Sequence, residues 1–489
     1  MQRDKHRIWL VLFLSLLFIA ANSFLLFRQS FGLSLVPIAL VIGMWVFFAP
    51  TKLFFALAFL VPLSIPLRRL VPGLTFDFWF PTEPILVFLL VMVILKSFKE
   101  NYFRKELMGE PVFLAMLFYL GWLLITVVTS EMPVVSIKYF LVRFWFIGVF
   151  FYLAYILFSQ NFSNVRKFGL AYILGLFCVA LFSIVKQASL GLLSHKVAHG
   201  ASAPFFIDHT SYGAALAFVI PLAVAMALNE TRRQVKLLFW GLALFFMLAL
   251  VLSYSRAAWL SLLIGGGVWL LIRLKVKLRT LVVTLLVLVA AFFTFQEEIL
   301  WRLERNTTDS SGNLTEHVRS VINIKSDASN LERINRWDAA IAMFKQRPFV
   351  GWGPGTYQFE YAPFQLSQNK TIISTNFGTG GNAHSEYLGL MAEAGLPSII
   401  GFMLIIIFIL IQGFRLVQRK GIDRAERNIT IACIVGLVTY IFHGFLNNFL
   451  DTDKIAAVFW GFMAIIVAID QKVKHRELQT NERLPKFEA

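Results

Sequence analysis

Long apolar stretches are the feature of this 489-residue sequence that most restricts its fold. A helix needs about 20 mostly apolar residues to cross the hydrocarbon core of a bilayer. Stretches near that length recur along most of the chain and predict spans at 8–27, 31–49, 51–66, 83–98, 111–129, 135–158, 166–188, 209–228, 235–253, 257–274, 277–295, 397–416, 428–448 and 454–470. The third and fourth are short enough to be half-helices or parts of one hairpin. We therefore predict an all-α, polytopic membrane protein with 12–14 transmembrane helices.

The composition agrees with this fold class. Hydrophobic residues make up 58% of the chain and charged residues 15%, whereas soluble domains carry about a quarter charged residues. The apolar run 8–27 has spanning length and no small-residue cleavage site, so we predict a retained helix rather than a secretory signal peptide. The two cysteines, Cys178 and Cys433, both lie in apolar runs, which argues against a disulfide framework and a cysteine metal site.

The distribution of positive charge predicts the orientation of the spans. The net charge is +17, and the Lys and Arg residues concentrate in connections on one side of the apolar runs, at 96–106, 163–167, 229–236, 273–279, 415–427 and 471–477. The positive-inside rule places these connections and both termini in the cytoplasm. The segment 296–396 is then on the outer side, with nine Lys and Arg against eleven Asp and Glu. This pattern indicates membrane topology and not nucleic-acid binding.

Four regions follow from this topology: N-terminal membrane helices (1–295), a large outer loop (296–396), C-terminal membrane helices (397–470) and a cytoplasmic tail (471–489). A loop of this length should contain its own structure. One apolar stripe in it has helical spacing, formed by Leu331, Ile334, Trp337, Ile341 and Phe344. It predicts a helix on the membrane face that ends before Pro348, with a forced turn at Gly351–Gly355.

A histidine in the same loop is a candidate base. Asn382 predicts the N-cap of a helix from about Ala383 to Glu393, closed by Gly395. His384 would then lie in the first turn, where the helix dipole disfavours the imidazolium and leaves a neutral ring that can accept a proton. The alternative is a surface histidine without a role.

An arginine between two spans is a candidate phosphate ligand. Arg256 follows one predicted span and begins the next on the outer side. A guanidinium at a helix N-terminus can bind phosphate through bidentate hydrogen bonds together with free backbone N–H groups. The alternative is an arginine that extends to the lipid headgroups.

Other motifs give little support for a cofactor or a metal. The glycine-rich stretches at 351–355 and 377–381 lack the spacing of a nucleotide-binding loop. HExxH and Cys/His ligand spacings are absent from the sequence, so neither a metal nor a cofactor is predicted. Asp451 and Asp453 could hold a cation, although two solvated charges are the simpler interpretation.

Several segments together resemble the O-antigen ligase and polymerase superfamily. They are SRAAWLSL at 255–262, ERINRWDAAIAMFKQRPFVGWGPGTY at 332–357 and NAHSEYLGLMAEAGLPSIIGF at 382–402, with HTSYGAALAFVIPLA at 209–223 and NNFLDTDKIAAVFWGFMAI at 447–465. No one segment is highly specific, but their order and spacing are. The resemblance covers about 209–470, and the first 200 residues match only as a series of membrane helices.

This resemblance implies an enzyme that transfers glycan from undecaprenyl diphosphate on the outer face of the bacterial inner membrane. A ligase transfers to a lipid A–core sugar and a polymerase to another lipid-linked unit, while related members glycosylate proteins. The loop histidine of the family falls on His384, and its two arginines fall on Arg256 and Arg333. Arg336 is the contender if the register is off by one turn.

The expected chemistry needs a base and charge neutralisation, because a lipid diphosphate is already an activated leaving group. His384 would deprotonate the acceptor hydroxyl, and Arg256 and Arg333 would stabilise the departing diphosphate, with inversion at the anomeric carbon and without a metal. Five residues are possible supports. Glu386, Tyr387 and Glu393 share the helix of His384, and His209 and Tyr212 can line a lipid cleft or simply pack in the core.

Two other functions stay open. A polymerase of the same superfamily differs little in sequence, although the short outer segment 189–208 favours a ligase. A transporter or flippase for a lipid-linked sugar would place polar residues near the middle of the membrane. The predicted spans are almost free of charge, which favours the transferase.

Overall fold

The computed structural model describes residues 2–28, 32–37, 48–70, 78–99, 104–276, 328–366 and 381–482, together with Gly43, Thr280 and Ser374. Helices dominate these residues. They are α1 (Gln2–Phe27), α2 (Pro50–Leu60), α3 (Leu67–Leu70), α4 (Thr82–Lys99), α5 (Pro111–Val128), α6 (Pro133–Phe146), α7 (Ala154–Gln160), α8 (Ser163–Leu190), α9 (His195–Ala201), α10 (His209–Asn229), α11 (Arg233–Leu252), α12 (Arg256–Arg273), α13 (Ala328–Gln346), α14 (Tyr357–Glu360), α15 (Glu386–Gln418), α16 (Arg424–His443) and α17 (Asp453–Glu482).

Short elements complete the fold. A π-helical segment, Ile147–Leu153, joins α6 to α7 into one continuous rod, and 3₁₀ turns lie at Gly32–Leu35, Val61–Leu63, Lys105–Gly109 and Ala362–Phe364. Two short strands, β1 (Ile65–Pro66) and β2 (Trp79–Phe80), pair antiparallel. The predicted span 51–66 is a shorter helix, since α2 ends at Leu60 and the 3₁₀ turn Val61–Leu63 follows it directly; the half-helix interpretation stays a prediction.

Within the described ranges, eight helices are long and apolar enough to cross a membrane: Pro111–Val128, Pro133–Gln160, Ser163–Leu190, His209–Asn229, Arg233–Leu252, Arg256–Arg273, Glu386–Gln418 and Arg424–His443. Shorter apolar helices occupy Val11–Phe27 and Pro50–Leu63. The predicted spans 83–98 and 454–470 are helical, as α4 and α17. Most of 31–49 and 277–295 lies outside the described residues, so the total of 12–14 stays a prediction.

Burial is consistent with a bundle surrounded by lipid. The centre is α17, in which all residues from Ile455 to Val467 are fully buried. The periphery exposes many large apolar side chains, among them Val185, Leu244 and Leu263. Soluble proteins rarely expose an apolar surface of this extent. The chain is an all-α polytopic membrane protein.

Small residues let the central helices approach closely, as is usual where lipid replaces water as the solvent. A Cβ at Gly265 of α12 would lie 2.5 Å from the Thr439 Oγ1 of α16. A Cβ at Gly436 of α16 would lie 2.9 Å from the carbonyl oxygen of Phe218 in α10. These contacts bring the start of α10, the start of α12 and the end of α16 together.

We call this end of the bundle the site end; α15 and α17 also begin there, and α5, α8 and α11 end there. The connections from α7 to α8, from α10 to α11 and from α15 to α16 lie at the opposite end. They contain the basic segments 163–167, 229–236 and 415–427, so the positive charge collects at one end as the sequence predicts.

The loop helix α13 is confirmed, but the face that it buries is not the predicted stripe. Leu331, Ile334, Trp337, Ile341 and Phe344 are all only partly buried. The buried face is instead formed by Glu332, Asn335, Arg336, Ala339, Ala340 and Met343. The reason is hydrogen bonding, because the polar members of this face bond to later parts of the loop: Asn335 donates to Gln365 Oε1 at 2.8 Å.

The predicted turn after α13 fixes the loop to the bundle. Gly351, Gly353 and Gly355 all have positive φ, at 65°, 117° and 78°. The amides of Trp352 and Gly353 donate to the carbonyls of residues 392 and 393, at 3.1 and 2.8 Å.

The helix predicted at 383–393 and the span predicted at 397–416 are two halves of one kinked element, α15. Gly395 forms the kink, with φ 72°, and a Cβ there would lie 2.0 Å from the carbonyl oxygen of Phe349. The predicted stop at Gly395 is therefore a bend that turns the chain into the membrane span.

Candidate functional site

His384 lies immediately before α15 and not in its first turn, so the prediction of Asn382 as the N-cap is wrong. The N-cap is Ser385, whose hydroxyl accepts from the Leu388 amide at 3.4 Å. Asn382 Oδ1 instead accepts from the backbone amide of His384 at 3.1 Å. This bond helps to hold His384 at φ 49°, in the left-handed region that few non-glycine residues adopt.

The environment of His384 favours the neutral ring. Burial lowers the pKa of His384 to about 4, and the positive charges of Arg333 and Arg336 add to this effect, while Asp208 and Glu332 oppose it. The expectation of a neutral imidazole is therefore supported. The cause of the lowered pKa differs from the predicted one. Burial and two arginines lower it, whereas the helix dipole was expected to do so.

Helix α13 connects Arg333 to the same place. Trp337 Nε1 donates to the carbonyl oxygen of His384 at 3.3 Å, which ties the histidine backbone to α13. One turn earlier, Arg333 Nε donates at 3.4 Å to the carbonyl oxygen of Leu446, in the turn after α16. Arg333 thus bridges the loop helix and the site end of the bundle.

Arg336 is engaged inside the loop. Its Nε donates to Glu332 Oε1 at 2.6 Å, and its guanidinium lies 4.1 Å from the ring centroid of Tyr361. A Cβ at Gly381 would lie 2.6 Å from its Nη1, so the chain passes directly over the guanidinium. Buried between these groups, Arg336 anchors the loop and still contributes its charge to His384.

Arg256 is the first residue of α12, as the sequence predicts. The turn before it is tight, with Tyr254 at φ 54°. A Cβ at Gly213 would lie 2.7 Å from the Cβ of Ser255, so this turn packs against the start of α10. His209 and Tyr212 lie in that part of α10, which places both beside the Arg256 turn.

The three supporting residues of α15 do not contact His384 through any described hydrogen bond. Glu386 accepts from the Tyr440 hydroxyl and from the backbone of the turn after α16. The Tyr387 hydroxyl donates to the carbonyl oxygen of Ile441 at 2.7 Å. Glu393 accepts from the Tyr357 amide at 3.0 Å and so fastens the loop turn. All three connect the start of α15 to its surroundings.

Residues 241–403 match the family model described as O-antigen ligase. This part of the chain is similar to the O-antigen ligase superfamily. The matched part contains Arg256, Arg333, Arg336 and His384, and it leaves out His209 and Tyr212.

A curated relative extends the similarity only modestly. An uncharacterized protein of Haemophilus influenzae is 23% identical over 202 residues, which are 41% of this chain and 48% of that protein. The match spans about half the length of that relative, and its name assigns no activity.

A histidine group beside the ligase domain was missed in the sequence. The rings of His199 and His209 lie 3.9 Å apart, and His195 Nε2 lies 3.1 Å from His199 Nε2. The ring of His195 is also 5.5 Å from that of Tyr254, close to Arg256. The four-residue spacing of His195 and His199 was the available signal, since it places two rings on one helix face.

The carboxylates near the start of α17 are not the two solvated charges expected from the sequence. Asp453 is fully buried and accepts from the hydroxyls of Ser64 and Thr82, at 2.7 and 2.6 Å. Asp451 pairs with Arg143 at 2.6 Å. In the part of the chain that the structure describes, three or more His, Cys, Asp or Glu side chains nowhere converge in a way that could hold a metal ion.

Proposed function

We propose that this protein is an inverting, metal-independent glycosyltransferase of the ligase type. It transfers glycan from undecaprenyl diphosphate to a lipid A–core sugar or a similar acceptor. One observation carries this proposal. His384 lies at the edge of a membrane bundle, and burial and the charges of Arg333 and Arg336 lower its pKa so that the ring is neutral. A base next to positive charge is what transfer from a lipid diphosphate to a hydroxyl requires.

In the proposed reaction, His384 accepts the proton of the acceptor hydroxyl. The hydroxyl oxygen attacks the anomeric carbon of the donor sugar and forms the new glycosidic bond. The bond from that carbon to the diphosphate breaks on the opposite face, and the lipid diphosphate departs with its electron pair. One displacement inverts the anomeric configuration.

Arg256 and Arg333 bind the diphosphate in this scheme. Arg256 stands at a helix N-terminus, where the helix dipole adds to the attraction for an anion. Arg333 reaches the same end of the bundle from the loop side. Arg336 adds its positive charge and is a further candidate ligand, because Glu332 pairs with its Nε while its buried Nη1 has no hydrogen-bond partner among the described residues.

The location of the site is part of the proposal. We place the site end on the outer side of the bacterial inner membrane and the basic connections and both termini in the cytoplasm. Loop 296–396 is then periplasmic, and its helix α13 contacts the turn after α16 through Arg333, so the donor lipid would reach the arginines from within the bilayer.

Replacement of the proposed base tests the function. His384→Ala should abolish glycan transfer in cells and in membranes while the protein remains inserted. His475→Ala, which removes an exposed histidine near the end of α17, is the matched control and should retain transfer. Normal transfer by His384→Ala would disprove the assignment of the base.

The surface-glycan ladder of a deletion strain distinguishes a ligase from a polymerase. A ligase defect leaves polymerised chains on the carrier lipid without attachment to the acceptor. A polymerase defect leaves single repeat units. Lipid-linked glycan retained on the inner face would indicate a flippase and would overturn both transferase assignments.

A further inference from the structure

We propose that Glu386 is a positioning residue that fixes Arg333 relative to His384 by holding the turn between α16 and α17. This inference rests on the proposed function, since it assigns the means by which the base and one diphosphate ligand keep their geometry. It concerns residues 444–450, which we call the α16–α17 turn.

Glu386 is a buried carboxylate whose oxygen Oε1 accepts three hydrogen bonds. The donors are the Tyr440 hydroxyl at 2.5 Å, the Phe449 amide at 2.7 Å and the Leu450 amide at 2.8 Å. Its own backbone amide donates to the carbonyl oxygen of Gly444 at 2.8 Å. Glu386 therefore holds the α16–α17 turn at both of its ends.

Arg333 of α13 is bonded to the middle of the same turn. The carbonyl oxygen of Leu446, which accepts from Arg333 Nε, lies between the two places that Glu386 holds. A side chain only two residues after His384 thereby fixes the acceptor to which Arg333 is bonded. Through α15 and the α16–α17 turn, the base and the arginine share one support.

Arg143 also holds the α16–α17 turn, from another side. Replacement of Glu386 should therefore not unfold the bundle. Arg143 Nη1 donates to the carbonyl oxygen of Leu450 at 3.2 Å, and its Nη2 pairs with Asp451 at 2.6 Å. These bonds secure only the α17 side of the turn. Loss of Glu386 should therefore loosen the part that carries Leu446 and leave α17 in place.

The pKa of His384 reports on this arrangement, because the charge of Arg333 helps to lower it. If Arg333 moves away from the histidine, the pKa should rise towards that of a free imidazole. A carboxylate with a purely structural role would lower stability without changing this titration. The shift in titration therefore separates positioning from stability.

The experiment uses the purified full-length protein in lipid nanodiscs. Diethyl pyrocarbonate reacts with the neutral imidazole of a histidine and not with its imidazolium. Its rate of reaction at His384, followed by peptide mass spectrometry over a pH series, therefore measures the titration without any need for activity. Glu386→Ala should shift the midpoint upward from about 4, on the order of one pH unit. Arg333→Ala should shift it similarly, and the double variant should add no further shift.

Two variants serve as controls. Glu386→Gln keeps an oxygen that can accept from the same three donors, so its midpoint should return close to that of the parent. Glu426→Ala removes another buried carboxylate, one that accepts from the Asp423 amide at 3.1 Å at the opposite end of the bundle. It should lower stability and leave the His384 midpoint unchanged.

An unchanged midpoint in Glu386→Ala, or additive shifts in the double variant, would overturn the inference. The proposed function fails on a different result, namely normal glycan transfer by His384→Ala. Since the labelling experiment does not depend on transfer, the two failures are distinguishable.

Discussion

At the scale of single residues, the backbone of His384 matters as much as its ring. Its φ of 49° is held by Asn382 on one side and by the Ser385 cap on the other. A candidate base held in strained backbone geometry is typical of a preorganised site.

The titration of His384 predicts an unusual pH profile. Because its pKa is lowered to about 4, the ring remains neutral and competent as a base as the pH falls from 7. We expect kcat/KM to stay level and to fall only as the pH approaches that value. A series of steady-state measurements in buffered liposomes checks this. A midpoint near that of free histidine, about 6.5, would contradict it.

The two arginines assigned to the diphosphate should not tolerate lysine. Arg256→Lys and Arg333→Lys each keep the charge and lose the bidentate geometry, so we expect kcat/KM to fall by at least about tenfold. Arg415→Lys, at an exposed position at the opposite end of the bundle, is the control and should be unaffected. Equal activity of all three variants would show that charge alone suffices.

How far the sequence predicts this site depends on the type of interaction. The positions of Arg256 and of α13 follow from apolar periodicity, which is a local property. The cap of α15 could not be assigned, because Asn382 and Ser385 are both good N-caps and a tertiary bond from α13 to His384 favours Ser385. The partners of Glu386 and Asp453 lie tens to hundreds of residues away in sequence, and no local pattern indicates them.

At the scale of elements, the buried face of α13 shows the limit of periodicity. The apolar stripe was correct as a helix signal and wrong as an indicator of the buried side. Polar residues of α13 are buried because the rest of the loop supplies their hydrogen-bond partners, as Gln365 does for Asn335. The apolar stripe is only partly buried, and the position of α13 on the membrane face stays a prediction.

The turn at Gly351–Gly355 should be intolerant of side chains. In Gly353→Ala, the new Cβ would lie 2.0 Å from Ser130 Oγ at a φ of 117°. We expect a loss of about 1–3 kcal/mol in stability and a loosened loop. Gly241→Ala in α11, where a Cβ meets nothing within 4 Å, is the control and should be neutral or stabilising by up to about 1 kcal/mol. Thermal unfolding in detergent measures both, and equal melting temperatures would contradict the docking of the turn.

At the scale of the whole molecule, the two ends of the bundle differ in composition. The site end carries His199, His209, His384 and the loop helix α13, and the opposite end carries the basic connections. Because the two ends of the bundle differ in this way, labelling one position at each end tests the orientation.

Cysteine labelling tests the orientation. In a background with Cys178→Ala and Cys433→Ala, a membrane-impermeant maleimide should label Lys196→Cys in intact spheroplasts. Lys420→Cys should be labelled only after permeabilisation. The side chains at both positions are exposed, so access of the reagent across the membrane decides the result. The reverse pattern would invert the proposed topology.

The burial of α17 has a consequence for biogenesis. This helix forms the centre of the bundle, yet it follows every other described helix in the sequence. During synthesis, the membrane-spanning helices among α5 to α16 therefore enter the membrane before the element around which they pack has left the ribosome. Until α17 is inserted, these helices remain partly assembled, and the insertion machinery or a membrane chaperone must shield their inward faces. Arrival of α17 then closes the bundle and completes the α16–α17 turn.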